Sequence, residues 1–237
     1  METAKKPLLI IPAYNEQENI AKVVDQLIQE FPQYEYVVVN DGSGDLTEEI
    51  CEKNGYNLLN LPINLGIGGA VQAGYRYAKK YGYKIAVQID GDGQHDIRYV
   101  QEVIRPILEG KADVVIGSRF LKKEGFQSSS ARRIGIRILS GLLLMCTGTK
   151  IYDVTSGFRA VNRKFIDIYA EDYPSDYPEP EALITAVLSG GRVKEVPVIM
   201  RERSGGTSSI NMRKSVYYMI KVTLAILIKR ISYGVRR

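Results

Sequence analysis

Ile85-Ala86-Val87-Gln88-Ile89-Asp90-Gly91-Asp92-Gly93-Gln94 runs from a nearly uninterrupted apolar segment straight into a turn that holds two carboxylates. The first five residues read as a strand buried on both faces. Asp90 and Asp92, at i and i+2 around a glycine, can converge from such a turn on one hard cation. Gly91 and Gly93 let the backbone come close to a diphosphate. A divalent ion held by one or two carboxylates while bridging phosphate oxygens is the usual Mg²⁺ arrangement, and Gln94 offers a further oxygen. An Asp-Gly turn that satisfies only its own backbone is the plainer reading of the same residues. An EF-hand loop is not supported, because the acidic series stops and no glutamate closes it.

Outward from this segment, strands and helices alternate. Leu8 to Ile11, Tyr36 to Val39, Leu58 to Leu61 and Val114 to Ile116 are further apolar strands. Asn15 is placed to cap a helix whose apolar positions Ile20, Val23, Val24, Leu27 and Ile28 repeat at helical spacing. A Gly-rich turn at Gly66, Gly68 and Gly69 leads into a helix through Tyr77 and Ala78, and another helix passes through Val100, Val103 and Ile107. Lys122 to Ser130 is polar and reads as a mobile loop, followed by a helix from Ile134 to Met145. Prolines 174, 178 and 180 forbid a continuous helix from Asp172 to Pro180. Glu181 to Leu188 is helical, and Val193 to Val198 is a strand. The order predicts an α/β fold with a mainly parallel central sheet covered by helices, its ligand loops at the strand C-termini. Those loops hold the Asp, Asn and Gly clusters.

Composition narrows the function classes. The 237 residues carry a net charge of +5, with one histidine, two cysteines and no tryptophan. Cys51 and Cys146 fit neither a zinc site nor a disulfide framework, which points to a reducing compartment. His95 alone must serve any Ser-His or Cys-His scheme, and a multi-histidine metal site is excluded. No apolar stretch after Met1 reads as a signal peptide, so a cytoplasmic protein is expected. From Arg201 to Arg237 there are nine basic residues and one acidic, a net +8, so the rest of the chain is slightly acidic. Such a tail favours a lipid surface or a phosphorylated substrate. No helix-turn-helix, zinc-finger or aromatic RNA-binding signature accompanies it, and no nucleic-acid partner is expected. The glycine run at 66 to 69 is not a dinucleotide fingerprint, whose third glycine position is here Val71, and no P-loop occurs.

Taken together, the motifs form an ordered series. Ile11-Pro12-Ala13-Tyr14-Asn15-Glu16, Asn40-Asp41-Gly42-Ser43, Gly66-x-Gly68, Asp90-Gly91-Asp92-x-Gln94-His95 and Gly117-Ser118-Arg119 come first. Asp153-x-Thr155-Ser156-Gly157-Phe158-Arg159, Glu195-Val196-Pro197 and Arg203-x-x-Gly206-x-Ser208 complete it. Over roughly residues 7 to 210 the chain resembles a family-2 glycosyltransferase of the dolichol-phosphate-mannose-synthase-like branch. The resemblance implies a GT-A-type nucleotide-sugar-binding domain over residues 1–210 and an inverting transfer from a nucleotide-diphospho-sugar. The implied acceptor is a polyprenyl phosphate at the cytoplasmic face of the cell membrane.

The resemblance also implies roles. Pro12, Tyr14, Glu16 and Asp41 line the nucleoside pocket, with Gly68 and Asp90 also on the donor side. Asp90, Asp92 and Gln94 hold Mg²⁺ or Mn²⁺ on the diphosphate. Asp92, Arg119 and Arg203 form the catalytic set, and Arg132, Arg133, Arg203 and Ser208 meet the acceptor phosphate. The arginines also suit a merely solvated basic surface. Asn40 stands where many relatives have aspartate, and Ser209 where many have lysine, leaving Arg213 and Lys214 as alternative phosphate contacts. A phosphate monoester, with a second pKa near ~6, is already ionised and chiefly needs orientation. A sugar hydroxyl would need a carboxylate base, for which Glu179 and Glu181 are the candidates. Transfer to a saccharide hydroxyl in polysaccharide synthesis, and a non-catalytic nucleotide-sugar-binding partner, are the alternatives; retention of both aspartates favours catalysis.

Ile210 to Ser232 can form one helix of about 34 Å. Its apolar run from Val216 to Ile228 is interrupted by Lys221 and Thr223 and is shorter than the ~20 residues of a membrane span. Flanked by Arg213, Lys214, Lys229 and Arg230, residues 211–237 read as a basic amphipathic helix for an anionic membrane surface or a small membrane subunit. Packing on the body, or in a homo-oligomer interface, is the other reading.

Overall fold

The computed structural model describes residues 6–122, 124–125, 130–201 and 212–235. Its strands are β1 (Leu8–Ala13), β2 (Glu35–Asn40), β3 (Leu58–Asn60), β4 (Ile85–Gln88), β5 (Val114–Ser118), β6 (Arg159–Asn162) and β7 (Val193–Pro197). Its helices are α1 (Ile20–Glu30), α2 (Thr47–Lys53), α3 (Gly66–Lys80), α4 (Val100–Leu108), α5 (Ser130–Thr147), α6 (Arg163–Glu171), α7 (Pro178–Leu188) and α8 (Met212–Val235). The sheet order is β3-β2-β1-β4-β6-β5-β7. Every pairing is parallel except those of β6, which runs antiparallel to both β4 and β5.

The two-sided burial expected of apolar strands is complete in β1, β4 and β5, whereas β3 and β7 at the sheet edges are only partly buried. Successive side chains of a strand point to opposite faces. Leu8 and Ile10 of β1 join a core with Val37, Val39, Tyr75 and Phe165. Leu9 and Ile11 join a second core with Ile20, Val24, Val38 and Val103. All four of these β1 residues are fully buried.

Two local expectations change. α1 starts at Ile20 behind Asn19, and Asn15 does not cap it. Asn15 adopts a left-handed conformation (φ 55°), which asparagine tolerates, and its Oδ1 accepts the Gly44 N–H at 2.9 Å. It therefore joins the loop after β1 to the loop after β2. α7 begins at Pro178, inside the proline-rich stretch, because a first-turn proline sacrifices no helical hydrogen bond. The polar segment from Lys122 to Ser130 lies mostly outside the described residues. α8 packs on α7 and α5 and buries Val222 and Ile226 in the first core.

Asp113, at the start of β5, ties three strands together. It accepts from the Arg192 backbone N–H (2.9 Å), Nε (3.0 Å) and Nη2 (3.1 Å), and from Asn162 Nδ2 (2.8 Å). The Arg192 hydrogen bonds hold its carboxyl below the usual range against partial desolvation. This contribution is therefore intact above the ordinary carboxylate pKa and is lost as pH falls through the depressed value. Asp113→Ala should lower the melting temperature by roughly 3–6 °C at neutral pH, and the gap should close on acidification, as read by calorimetry.

Candidate active site

The C-terminal ends of β1, β2, β4 and β5 lie along one edge of the sheet, the edge where open α/β sheets bind ligands. Pro12 is buried in β1, and just beyond it Tyr14 exposes about half of its surface (51%). Glu16 is buried: its N–H donates to Thr47 Oγ1 and its Oε2 accepts from Asn19 Nδ2, both at 2.9 Å. Asp41 is also buried and accepts the Leu65 N–H at 2.7 Å, at the entry to α3; burial raises its pKa. Asn40 organises its turn, accepting from Ser43 N–H and Oγ and donating to Asn60 Oδ1 at 2.6 Å. A Cβ on Gly91 would sit 3.1 Å from the Pro12 carbonyl, so the glycine lets the acidic turn close onto this pocket. Gly68 has a packing reason to be glycine: a Cβ would fall 1.9 Å from Pro174 O, and its N–H donates to Ser175 O at 3.0 Å.

The acidic turn keeps its two carboxylates in different settings. Asp92 is buried, and its Oδ1 closes the turn by accepting the Gln94 N–H at 3.0 Å, with Gly93 left-handed at φ 78°. The Gln94 carbonyl accepts the Arg201 N–H at 3.0 Å. Asp90 is more open, with about a third of its side chain exposed (34%). Its backbone N–H donates to His95 Nδ1 at 3.0 Å. Burial pushes the His95 pKa down to about 4, with Arg119 acting in the same direction against Asp92, so the ring is neutral at neutral pH. Asp90, Asp92 and Gln94 supply hard oxygen donors, the set that suits Mg²⁺ or Mn²⁺. No group of three His, Cys, Asp or Glu side chains is preassembled among the described residues. A cation there would complete its coordination with water or with oxygens of a bound phosphate.

Arg119, at the end of β5, is buried and clamped by the fully buried Asp153. Nε and Nη2 donate to the two carboxylate oxygens at 2.8 and 2.7 Å, the Arg119 N–H to Oδ2 at 3.0 Å, and Nη2 also to Thr155 Oγ1 at 3.0 Å. Glu195 of β7 holds the Asp153 loop from beneath, accepting the N–H groups of Tyr152 and Asp153 at 2.8 Å each. The Arg119 guanidinium interacts electrostatically with Asp90 and Glu179.

Glu179, in the first turn of α7, completes the arrangement. Burial raises its pKa, with Asp90 reinforcing and Arg159 and Arg132 opposing. Glu181 instead meets Lys229 of α8 at 3.3 Å. Arg132 is exposed and Arg133 half-buried at the start of α5. The structure thus brings Asp90, Arg119, Arg132 and Glu179 into one electrostatic neighbourhood. Arg203, Ser208 and the side chains of Arg213 and Lys214 lie outside the described residues. Sequence reasoning missed Asp153 and Glu195 as supports. Their signal was present, since both stand in quoted motifs, but only the fold shows what they hold. Because Asp153→Ala strands a buried guanidinium, it should cost about 3–5 kcal/mol in urea denaturation.

Comparison with known proteins agrees with this geometry. The family model described as "Glycosyl transferase family 2" matches residues 8–169. The chain is 28% identical to the polyprenol monophosphomannose synthase of Mycolicibacterium smegmatis over 226 residues, covering 90% of this chain and 85% of that protein. It is 32% identical to the UDP-N-acetylglucosamine–dolichyl-phosphate N-acetylglucosaminyltransferase of Methanococcus voltae over 210 residues, covering 80% and 83%. A crystal structure of glucosyl-3-phosphoglycerate synthase from Mycobacterium tuberculosis, in complex with Mn²⁺, uridine diphosphate and glucosyl-3-phosphoglycerate, superposes with a TM-score of 0.69 at 21% identity, covering 95% of this chain and 80% of that one. That likeness shows the GT-A fold. The chain belongs to glycosyltransferase family 2, in the branch whose curated members are named as polyprenyl- and dolichyl-phosphate glycosyltransferases.

Proposed function

We propose that the protein transfers a sugar, with inversion, from a nucleotide-diphospho-sugar to a polyprenyl phosphate, and does so with a divalent metal ion at the inner face of the cell membrane. The observation that carries this reading is the Asp90-Gly91-Asp92 turn at the ligand edge of the sheet, where Asp90 lies within electrostatic range of Arg119 and Glu179. The named substrates of the relatives supply the acceptor class. The Mn²⁺ and uridine diphosphate named for the M. tuberculosis synthase support a metal-bound nucleotide donor.

A divalent ion on Asp90 and Asp92, with Gln94 as a further ligand, would offset the charge that builds on the departing nucleoside diphosphate. The exposed Tyr14 ring, beside Pro12, Glu16 and Asp41, offers a face for the nucleoside. Arg132 and Arg133, with Arg203 and Ser208, provide for the acceptor phosphate, which is ionised without help from a base. Arg119 is pre-oriented by Asp153, so it contributes positive potential at little reorganisation cost. Incubation with a panel of nucleotide sugars and short polyprenyl phosphates should give one glycolipid product by mass, abolished by EDTA. Asp92→Asn should lower kcat by about 10²–10³-fold, and metal-independent turnover would overturn the reading.

Attachment to the membrane is proposed from the outer faces of α5 and α8. Tyr217, Ile220, Leu224, Ile228 and Ile231 form a helical stripe on α8, each more than half exposed. Ile134, Ile138 and Met145 form another on α5, equally exposed. The two helices meet where Gly135 faces Met219 Sδ, and Arg137 and Arg230 are exposed on the same helices. No helix among the described residues is long and apolar enough to cross a membrane. Apolar stripes with flanking arginines suit a helix pair lying in an anionic interface. Deleting 211–237 would also remove the core residues Val222 and Ile226, so the cleaner test is substitution. Replacing Ile220, Leu224 and Ile228 together by serine should reduce co-sedimentation with phosphatidylglycerol vesicles at least ~10-fold; unchanged sedimentation would refute the attachment.

A further inference from the structure

We propose that His95 is a positioning residue that holds Asp90 in its metal-facing pose through both edges of the imidazole. The inference rests on the proposed metal reading of the acidic turn and adds a residue to it. The Asp90 N–H, which can only donate, points at His95 Nδ1 at 3.0 Å. The ring proton must therefore be on Nε2, which lies 3.4 Å from Asp90 Oδ2. One imidazole thus accepts the main-chain N–H of Asp90 and turns its own N–H edge toward the carboxylate of the same residue, a polar approach longer than an ordinary hydrogen bond. With its lone pair taken by that N–H, the ring cannot be a ligand itself.

The ring is in turn immobilised. Its side chain is 3% exposed, and it stacks on Phe158 with centroids 5.0 Å apart and planes at 19°. His95 also forms an isolated antiparallel bridge with Met200, beside the Gln94–Arg201 hydrogen bond. On the third side, a Cβ on Gly157 would lie 3.2 Å from Gln88 Nε2, 3.3 Å from Asp90 Oδ1 and 3.5 Å from His95 Cε1. The absent methyl leaves the aspartate and imidazole room to meet. Gln88 is buried beside them, and among the described residues neither of its amide atoms has a hydrogen-bond partner, so it imposes no competing orientation on Asp90. Fixing a ligating carboxylate from behind usually changes metal affinity by about 10–100-fold.

Because His95 is the chain's only histidine, its imidazole can be observed alone. In metal-free full-length protein labelled with ¹⁵N-histidine, long-range ¹H–¹⁵N spectra should show an unprotonated Nδ1 and a protonated Nε2 at pH 7.5. A proton on Nδ1 would overturn the clamp while leaving the metal reading intact. His95→Phe keeps the stack on Phe158 but loses both contacts; by manganese EPR it should bind Mn²⁺ alone about 10–100-fold more weakly than the unmodified protein. His95→Asn, which can still accept the Asp90 N–H, should recover part of that loss, and it decides the matter if the phenylalanine variant does not fold. Activity should follow as a raised apparent metal requirement, with kcat at saturating Mn²⁺ largely restored. Equal Mn²⁺ affinity in wild type and His95→Phe would overturn the proposal. Failure of the unmodified protein to bind Mn²⁺ would instead remove the metal reading on which it rests.

Discussion

A guanidinium in the middle of the sheet sets most of the site's geometry. Arg159 is 2% exposed, and a buried cation is costly unless its donors are met. They are met by carbonyls: Ser156 at 2.7 Å, Val154 at 3.1 Å and Glu179 at 2.6 Å. Two of these belong to the loop before β6 and the third to the first turn of α7. Satisfying one charge therefore fixes both pieces against the centre of the sheet. Arg159 is also the register partner of Gln88, two residues before Asp90. The same contact that makes the arginine tolerable brings Glu179 into the field of the acidic turn.

The segment from Asp153 to Arg159 supports the site from below. Asp153 orients Arg119, and the Ser156 hydroxyl donates to the Gly117 carbonyl at 2.7 Å, joining the loop to β5. Gly157 leaves space beside Asp90, Phe158 stacks on His95, and Arg159 anchors the whole. Charge-assisted contacts of this kind keep polar groups from rearranging, which is what electrostatic preorganisation requires. The buried pair of Arg119 and Asp153 need not add net stability to serve this purpose.

This division explains what could be read from the sequence. β1, β2, β4 and β5 are legible because their residues are apolar on both faces. β6 is not, because it is four residues long and opens on an arginine that resembles a surface residue until its carbonyl partners are known. Without β6 the mainly parallel sheet is expected but its antiparallel member is not located, and α6, which follows it directly, is missed with it. Asp90 and Asp92 are legible because two residues of spacing suffice to place them. The partner of Arg119 is 34 positions away and is settled by tertiary structure alone. Glu179 and Glu181 look equivalent in a string, yet two residues along a helix are turned by about 200°, so one faces the site and the other α8. Asn15 was misread because its side chain serves a neighbouring loop rather than its own helix.

α8 shows that a helix need not choose between the body and an interface. Val222 and Ile226 are in the core while the opposite stripe is exposed. The inner face is fastened to α7 and the loop before it. Tyr218 packs edge-on against Tyr177, with centroids 4.7 Å apart, Lys221 pairs with Asp176, and Lys229 with Glu181. Tyr177 has a left-handed backbone (φ 50°), a conformation that costs a bulky residue about 1–2 kcal/mol and persists only where surrounding contacts over-determine it. Glu179 follows two residues later. Tyr177 thus joins the helix that carries the exposed stripe to the turn that leads into Glu179.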